Sequence, residues 1–159
     1  MTLNLAAVIA QVESDVRDIS PRFEPTLYYE LAADPTPERG KIIGVIGTIH
    51  FCNQTTARMI AATSWGRYQL LGENLYSVCQ CSVDVFTLVN EPLEQNAMFE
   101  NFVQARGIGF TIEDLIMDSA KRQLFIEKYN GPDNIQAYWT KIQEAVKALG
   151  GHTVVGEST

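Results

Sequence analysis

The sequence predicts a mainly α, multi-helix domain with little or no β-structure. Three observations carry this. Apolar residues recur at helical spacing in several segments, led by Leu5, Val8, Ile9 and Val12 near the start and by Ile135, Tyr138, Trp139, Ile142, Ala145 and Leu149 near the end. Helix punctuation stands where those segments begin and stop: Pro25 as a first helical residue, Thr111 with Asp114 as a variant capping box, Gly107 as a C-cap. The length of 159 residues, with 46% hydrophobic and 19% charged residues, favours one ordinary folded domain whose core needs no metal or disulfide.

Taken in order, residues 3–14 read as an amphipathic helix, with Glu13 four residues beyond Ile9 at the edge of the apolar stripe. Ser20-Pro21 interrupts, and Pro25 opens a second helix carrying Leu27, Tyr28 and Leu31. The stretch from Asp34 to Gly40, with Pro35 and Pro37, reads as a loop. Lys41 to Phe51 fits both a strand and a helix; Gly44 and Gly47 would allow close helix packing, which favours the helix. Thr55 to Ser64, Gly66 to Leu71 and Ser82 to Val89 read as helices. So does the segment carrying Leu93, Ala97, Met98, Phe102 and Ala105. A helical stretch runs from Thr111 to about Lys128 with a break near Asp118-Ser119, and Asn134 caps the last helix. One domain is expected over residues 1–149, with 150–159, small and polar, as a flexible tail.

Composition excludes several classes. The formal net charge of −7, from 12 Lys+Arg against 19 Asp+Glu, argues against nucleic acid, which basic surface must neutralise. It also gives no electrostatic steering toward an acidic cell wall. Cys52, Cys79 and Cys81 form neither a disulfide framework nor a four-ligand zinc pattern; free thiols are expected. Met1 to Glu13 lacks the basic start and apolar run of a signal peptide. No stretch approaches the ~20 apolar residues of a membrane helix. Synthesis in a cytoplasm, without membrane insertion, is the expectation.

Three short stretches stand out, each with a plain structural explanation. Glu13 is followed by Ser14 at a helix end, where an exposed Glu is the ordinary finding. Ser64-Trp65-Gly66-Arg67-Tyr68-Gln69-Leu70-Leu71-Gly72 has two aromatics that could stack on a ligand or pack the core. Tyr129-Asn130-Gly131-Pro132 reads as a helix stop.

In this order and at these gaps, the three stretches resemble the signature blocks of the lysozyme-like superfamily, in particular phage-type muramidases and lytic transglycosylases. The resemblance runs from Val12 to Leu149. It implies a lysozyme-like fold and cleavage of the β-1,4 bond between N-acetylmuramic acid and N-acetylglucosamine in peptidoglycan. In such enzymes the Glu before the first Ser is the general acid, which here is Glu13. An apolar cleft and the negative end of a helix would both keep its carboxyl protonated. Arg22-Phe23-Glu24-Pro25 matches a Phe-Glu pair found shortly after the acid, making Glu24 a cleft carboxylate; an ion pair with Arg22, or a charge offsetting the next helix, is the structural alternative. The second block resembles the family's Gly-x-x-Gln. Ser64 and Gln69 would bind substrate, Gln69 with both donor and acceptor for an N-acetyl or hydroxyl group, and Gly66 would let backbone approach sugar. Arg67 stands where an apolar residue is often seen. Tyr129 and Asn130 would line the cleft, Tyr129 holding the sugar or the acid.

The short segment between Glu13 and Glu24, with Asp15 and Val16 after Glu-Ser, leaves little room for the β-hairpin of larger lysozymes. A second carboxylate holding water (Glu24, Asp15 or Asp18) implies hydrolysis. Without one, the muramoyl 6-hydroxyl attacks and leaves a 1,6-anhydro product. A non-catalytic wall-binding or virion structural protein of the same fold is the alternative from another class. Glycan strands are the expected partner, no cofactor is needed for acid catalysis, and a monomer is expected. The resemblance implies a phage lysis enzyme released through a holin, or a virion component.

Overall fold

The computed structural model describes residues 3–15, 17, 21–33 and 35–150. Helix α1 (Leu5–Ser14) forms where the apolar repeat predicts it. Asn4 caps it, its side chain accepting the Ala6 N–H at 2.8 Å. Val8, Ile9 and Ala10 are buried, and Asp15 ends the helix in left-handed backbone at φ 54°. Strand β1 (Arg22–Phe23) follows, then α2 (Pro25–Ala33) with Pro25 at its first position. Helix α3 (Pro37–Ile49) takes the ambiguous segment and reaches further back than expected. The Asp34–Gly40 loop is thus shorter than predicted, because Pro37 starts a helix as readily as it breaks one and Thr36 caps it; Asp34 itself lies outside the described residues.

Two predicted helices are corrected between residues 55 and 71. Helix α4 (Gln54–Ala61) stops early, and Thr63–Trp65 forms strand β2 instead of completing it. Gly66 to Leu71 is no helix: Leu70–Leu71 is strand β3, hairpinned to β2. Gly66 at φ 72° and Gln69 at φ 48° put left-handed backbone at both ends of the loop, and the Gln69 N–H closes it onto the Gly66 carbonyl at 3.2 Å. A right-handed helix tolerates neither angle. The three strands form one antiparallel sheet in the order β1-β2-β3, with Arg22 opposite Ser64 and Ser64 opposite Leu71. The segment after Glu13 therefore supplies one edge strand to a hairpin formed much later in the chain.

Helix α5 (Gly72–Ser77) was not predicted. Helices α6 (Val85–Asn90) and α7 (Pro92–Ala105) match predicted segments, α6 capped by Asp84 and α7 followed by Gly107 at φ 65°. The Thr111–Asp114 capping box is formed at the start of α8 (Ile112–Met117). Asp118 breaks the run in extended backbone and caps α9 (Ser119–Tyr129) with its side chain. Helix α10 (Ile135–Ala148) buries Tyr138, Trp139, Ile142, Ala145 and Val146. Asn134 stands at its start but makes no side-chain cap: it adopts left-handed backbone at φ 62°, a geometry Asn tolerates better than most residues. The structure is thus mainly α with one small sheet. Its core runs from Val8 and Ile9 through Phe99, Phe102 and Phe125 to Ile142, and α10 packs along α1. Cys79 and Cys81 are buried free thiols and Cys52 a partly exposed one; burial pushes the Cys79 thiol up to about 12. Of the expected tail, residues 151–159 lie outside the described residues.

Gly72 holds α5 against the end of α4. A Cβ there would sit 2.0 Å from the Ile60 carbonyl oxygen and 3.1 Å from the Ala61 Cα, and both neighbours are backbone. Gly72→Ala is expected to cost about 3 kcal/mol and lower Tm by roughly 6–12 °C in a chain of this size; thermal melting beside the wild type measures it.

Candidate active site

Glu13 sits in the last turn of α1, the helix that buries Val8, Ile9, Ala10 and Ser14. Its carboxyl accepts a hydrogen bond from the Tyr138 hydroxyl of α10 at 2.5 Å. Burial, the largest effect, raises the Glu13 pKa above its ordinary 4.5; the Tyr138 hydrogen bond and the charges of Arg22 and Lys141 oppose it. Desolvation outweighs these three, so the proton is held more tightly than on an exposed Glu. Among the described residues no partner other than Tyr138 is hydrogen-bonded to this carboxyl.

Ser14, directly after Glu13, is buried. Its hydroxyl donates to the Ala10 carbonyl at 3.2 Å and to the Arg67 carbonyl at 2.9 Å. The Glu-Ser pair thus fixes the end of α1 to the β2–β3 turn. The other side of that turn is held by Gln95, whose Oε1 accepts the Arg67 N–H at 2.8 Å while its Nε2 donates to the Val89 carbonyl at 3.1 Å. Tyr129 completes the clamp by donating its hydroxyl to the Tyr68 carbonyl at 2.7 Å. The contacts that Ser14 and Gln95 make with residue 67 use its backbone groups, which any residue supplies. An Arg there is compatible with the turn.

The resulting cleft has a volume of about 250 Å³. Glu13, Glu24, Ser64, Gln69, Tyr129 and Asn130 all line it, so the six residues singled out in the sequence come together. Arg22, Asn74 and Phe102 also line it. Glu24 both faces the cleft and pairs with Arg22, whose Nε lies 2.9 Å from Oε1; the two readings of this residue are compatible. Gln69 donates its side-chain N–H to the Gly66 carbonyl at 2.9 Å.

Other assignments are redrawn. Gly66 does not line the cleft; it supplies the positive φ of the turn. Trp65 points elsewhere, donating Nε1–H to the Ile60 carbonyl at 3.1 Å and meeting Phe86 edge-on. Tyr68 is core, stacked on Phe99 with centroids 4.5 Å apart. Tyr129 stacks on Phe125 and spends its hydroxyl on the turn, not on Glu13. Asn130 ends α9, and Gly131 at φ 98° takes the left-handed position. Asp15 is not among the cleft residues, and Asp18 lies outside the described ones. Tyr138 was read only as a core position. Its signal was chemical: a buried Tyr, unlike a Phe, needs a partner for its hydroxyl.

A carboxyl withdrawn from water and a second carboxylate line the same polar cleft, and two carboxyl groups are what glycoside hydrolysis calls for. Known proteins narrow this to a family. Residues 52–150 match the profile of the Muramidase family, described as N-acetylmuramidase. Over 135 residues the chain is 33% identical to the endolysin of Enterobacteria phage PRD1, a match spanning 84% of this chain and 90% of that protein. No solved structure matches the chain significantly. The chain belongs to the N-acetylmuramidase family, as a phage-type, lysozyme-like peptidoglycan glycosidase. Ser64, Gln69, Tyr129 and Asn130 fall inside the matched span, and Glu13 and Glu24 precede it. Among the described residues no helix is long and apolar enough to cross a membrane.

The raised Glu13 pKa makes a stability prediction. Below the ordinary 4.5, the group is protonated both folded and unfolded. As pH rises past that value the unfolded chain ionises first, so wild-type stability falls until the folded carboxyl also ionises. Glu13→Gln removes this penalty while keeping an acceptor for Tyr138. The variant is expected to match the wild type below pH ~4 and to gain on it progressively above that; denaturant melts across the pH range measure the difference.

Proposed function

We propose that the protein cleaves the β-1,4 bond between N-acetylmuramic acid and N-acetylglucosamine with Glu13 as general acid. The observation that carries the reading is the desolvated, Tyr138-bonded carboxyl of Glu13 in a cleft that also holds Glu24, Ser64, Gln69 and Asn130. Glu13 protonates the bridging oxygen as the bond to the muramoyl C1 breaks, and the leaving sugar departs as an alcohol. Positive charge then develops on the muramoyl ring. In the hydrolytic route Glu24 takes a proton from water as that water bonds to C1. Ser64, Gln69 and Asn130 hold the glycan by hydrogen bonds, and Tyr129 acts through the turn it clamps. The substrate is the glycan strand of peptidoglycan, and the protein acts as a monomer without a cofactor.

One observation favours a second route. Arg22 occupies Glu24 in the free protein. If that ion pair persists with substrate bound, Glu24 has no call on a water proton, and the muramoyl 6-hydroxyl attacks C1 and gives its proton to the Glu13 carboxylate, leaving a 1,6-anhydro end. A non-catalytic wall binder remains the reading from another class. The related endolysin supports a role in phage lysis. The protein would be made in the host cytoplasm and reach the wall through a holin or as part of a virion.

The test is digestion of purified wall, with mass spectrometry of the fragments. Hydrolysis gives reducing muramoyl ends, and the transglycosylase route gives ends lighter by one water. Glu13→Gln is expected to lose roughly 10²–10⁴-fold in rate, the usual contribution of a general acid. Wild-type clearing by a folded Glu13→Gln protein removes Glu13 from the chemistry, and wall binding without clearing by the wild type identifies a binder. Tyr138→Phe removes an influence that lowers the Glu13 pKa. The alkaline limb of the pH–rate profile, which reports loss of the acid's proton, is expected to move to higher pH; an unchanged limb contradicts the assignment.

A further inference from the structure

Asn74, on α5, lines the cleft with Gln69, Phe102 and Asn130, and neither the sequence motifs nor the proposed mechanism gives it a role. Its Oδ1 accepts a hydrogen bond from Arg106 Nη2 at 3.1 Å. A guanidinium carries donors only, so the amide oxygen must face Arg106 and the amide NH2 must face the other way. This settles an orientation that amide geometry alone leaves open. Arg106 is itself held. Its guanidinium lies over the Phe102 ring at 5.4 Å from the centroid, and its backbone carbonyl accepts from Lys128 Nζ at 2.9 Å. The backbone of Asn74 is fixed too, its carbonyl accepting the Val78 and Cys79 N–H groups at 2.9 and 3.0 Å.

We infer that Asn74 is a substrate-binding residue that donates N–H to a carbonyl oxygen of the glycan, the N-acetyl group being its ligand, and that Arg106 is the positioning residue that fixes the amide. The inference rests on the glycan-cleaving reading above. A donor-only face selects an acceptor, and an amide carbonyl is a stronger neutral acceptor than a sugar hydroxyl. Every sugar of the peptidoglycan strand carries such a group, so a donor at this position distinguishes the acetylated strand from one bearing free amines. A free amine, protonated at neutral pH, offers no acceptor and leaves the Asn74 N–H groups unpaired. Arg106 does not line the cleft; its contribution passes through Asn74 and Phe102.

The experiment compares kcat/KM on soluble wall glycan strands with kcat/KM on the same strands after N-deacetylation. The wild type is expected to prefer the acetylated strand. Asn74→Asp keeps an acceptor for Arg106 but replaces the donor by an oxygen, and is expected to cut that preference roughly tenfold, mainly through KM on the acetylated strand. Asn74→Ala, which leaves no donor, is expected to do the same. Arg106→Ala frees the amide to turn and gives a smaller fall, and Arg106→Lys, also a donor without an acceptor, restores part of it. Thermal melting verifies that each variant is folded. A folded Asn74→Ala or Asn74→Asp protein with the wild-type preference overturns the inference. So does an equal loss on both strands, which marks a structural role. Glu13→Gln serves as the separate control: if it retains activity, the underlying reading fails, whereas its inactivity beside an unchanged Asn74 preference sinks this inference alone.

Discussion

The contact between Glu13 and Tyr138 joins residues 125 positions apart in the chain, and the cleft depends on it. Glu13 ends the first helix and Tyr138 lies near the start of the last, so the contact exists only when α1 and α10 pack side by side. That packing is apolar: Val8 and Ile9 on one side and Ile142 and Ala145 on the other are buried. The same apolar surroundings withdraw the carboxyl from water. Two effects then oppose each other at one atom. Desolvation disfavours the anion, and the Tyr138 hydroxyl favours it; desolvation is the larger. A protonated carboxyl still accepts through its carbonyl oxygen, so Tyr138 can orient the Glu13 carboxyl in either protonation state.

The second constraint is the β2–β3 turn. Arg67 and Tyr68 are held through backbone groups by Ser14 from α1, Gln95 from α7 and Tyr129 from α9. Three helices thus converge on two consecutive residues, and Gln69, the next residue, enters the cleft from a turn that has little freedom to move. This explains why the chemistry-bearing stretches include residues that never face the cleft. Ser14 and Gly66 build the turn, and the turn aims the wall that Ser64 and Gln69 share. A site mounted this way is preorganised by its supporting contacts.

Much of the fold was legible because helical periodicity and capping are local signals. The break at Asp118, the capping box at Thr111 and the proline start at Pro25 all sit where the sequence put them. The strands were not legible. Two- and three-residue strands have no periodicity to read, and the turn between them depends on φ 48° at Gln69, an angle uncommon outside glycine. Of the cleft, the six residues carried by the family blocks were found together because those blocks mark them. Tyr138 and Asn74 were missed for the opposite reason. Tyr138 hid within an apolar helix face, and Asn74 sits in a short helix that no local pattern announced.

The protein is thus a muramidase-family domain in which burial, rather than a neighbouring charge, is the largest influence on the Glu13 carboxyl. The only cationic side chain lining the cleft among the described residues, Arg22, pairs with Glu24 and works against protonation of Glu13. Site-resolved 13C NMR titration of the Glu13 carboxyl in the free wild-type protein tests this most directly. The account predicts a midpoint above the ordinary value of 4.5. A midpoint at or below that value would mean that burial does not favour the protonated carboxyl over the anion, and the account would fail.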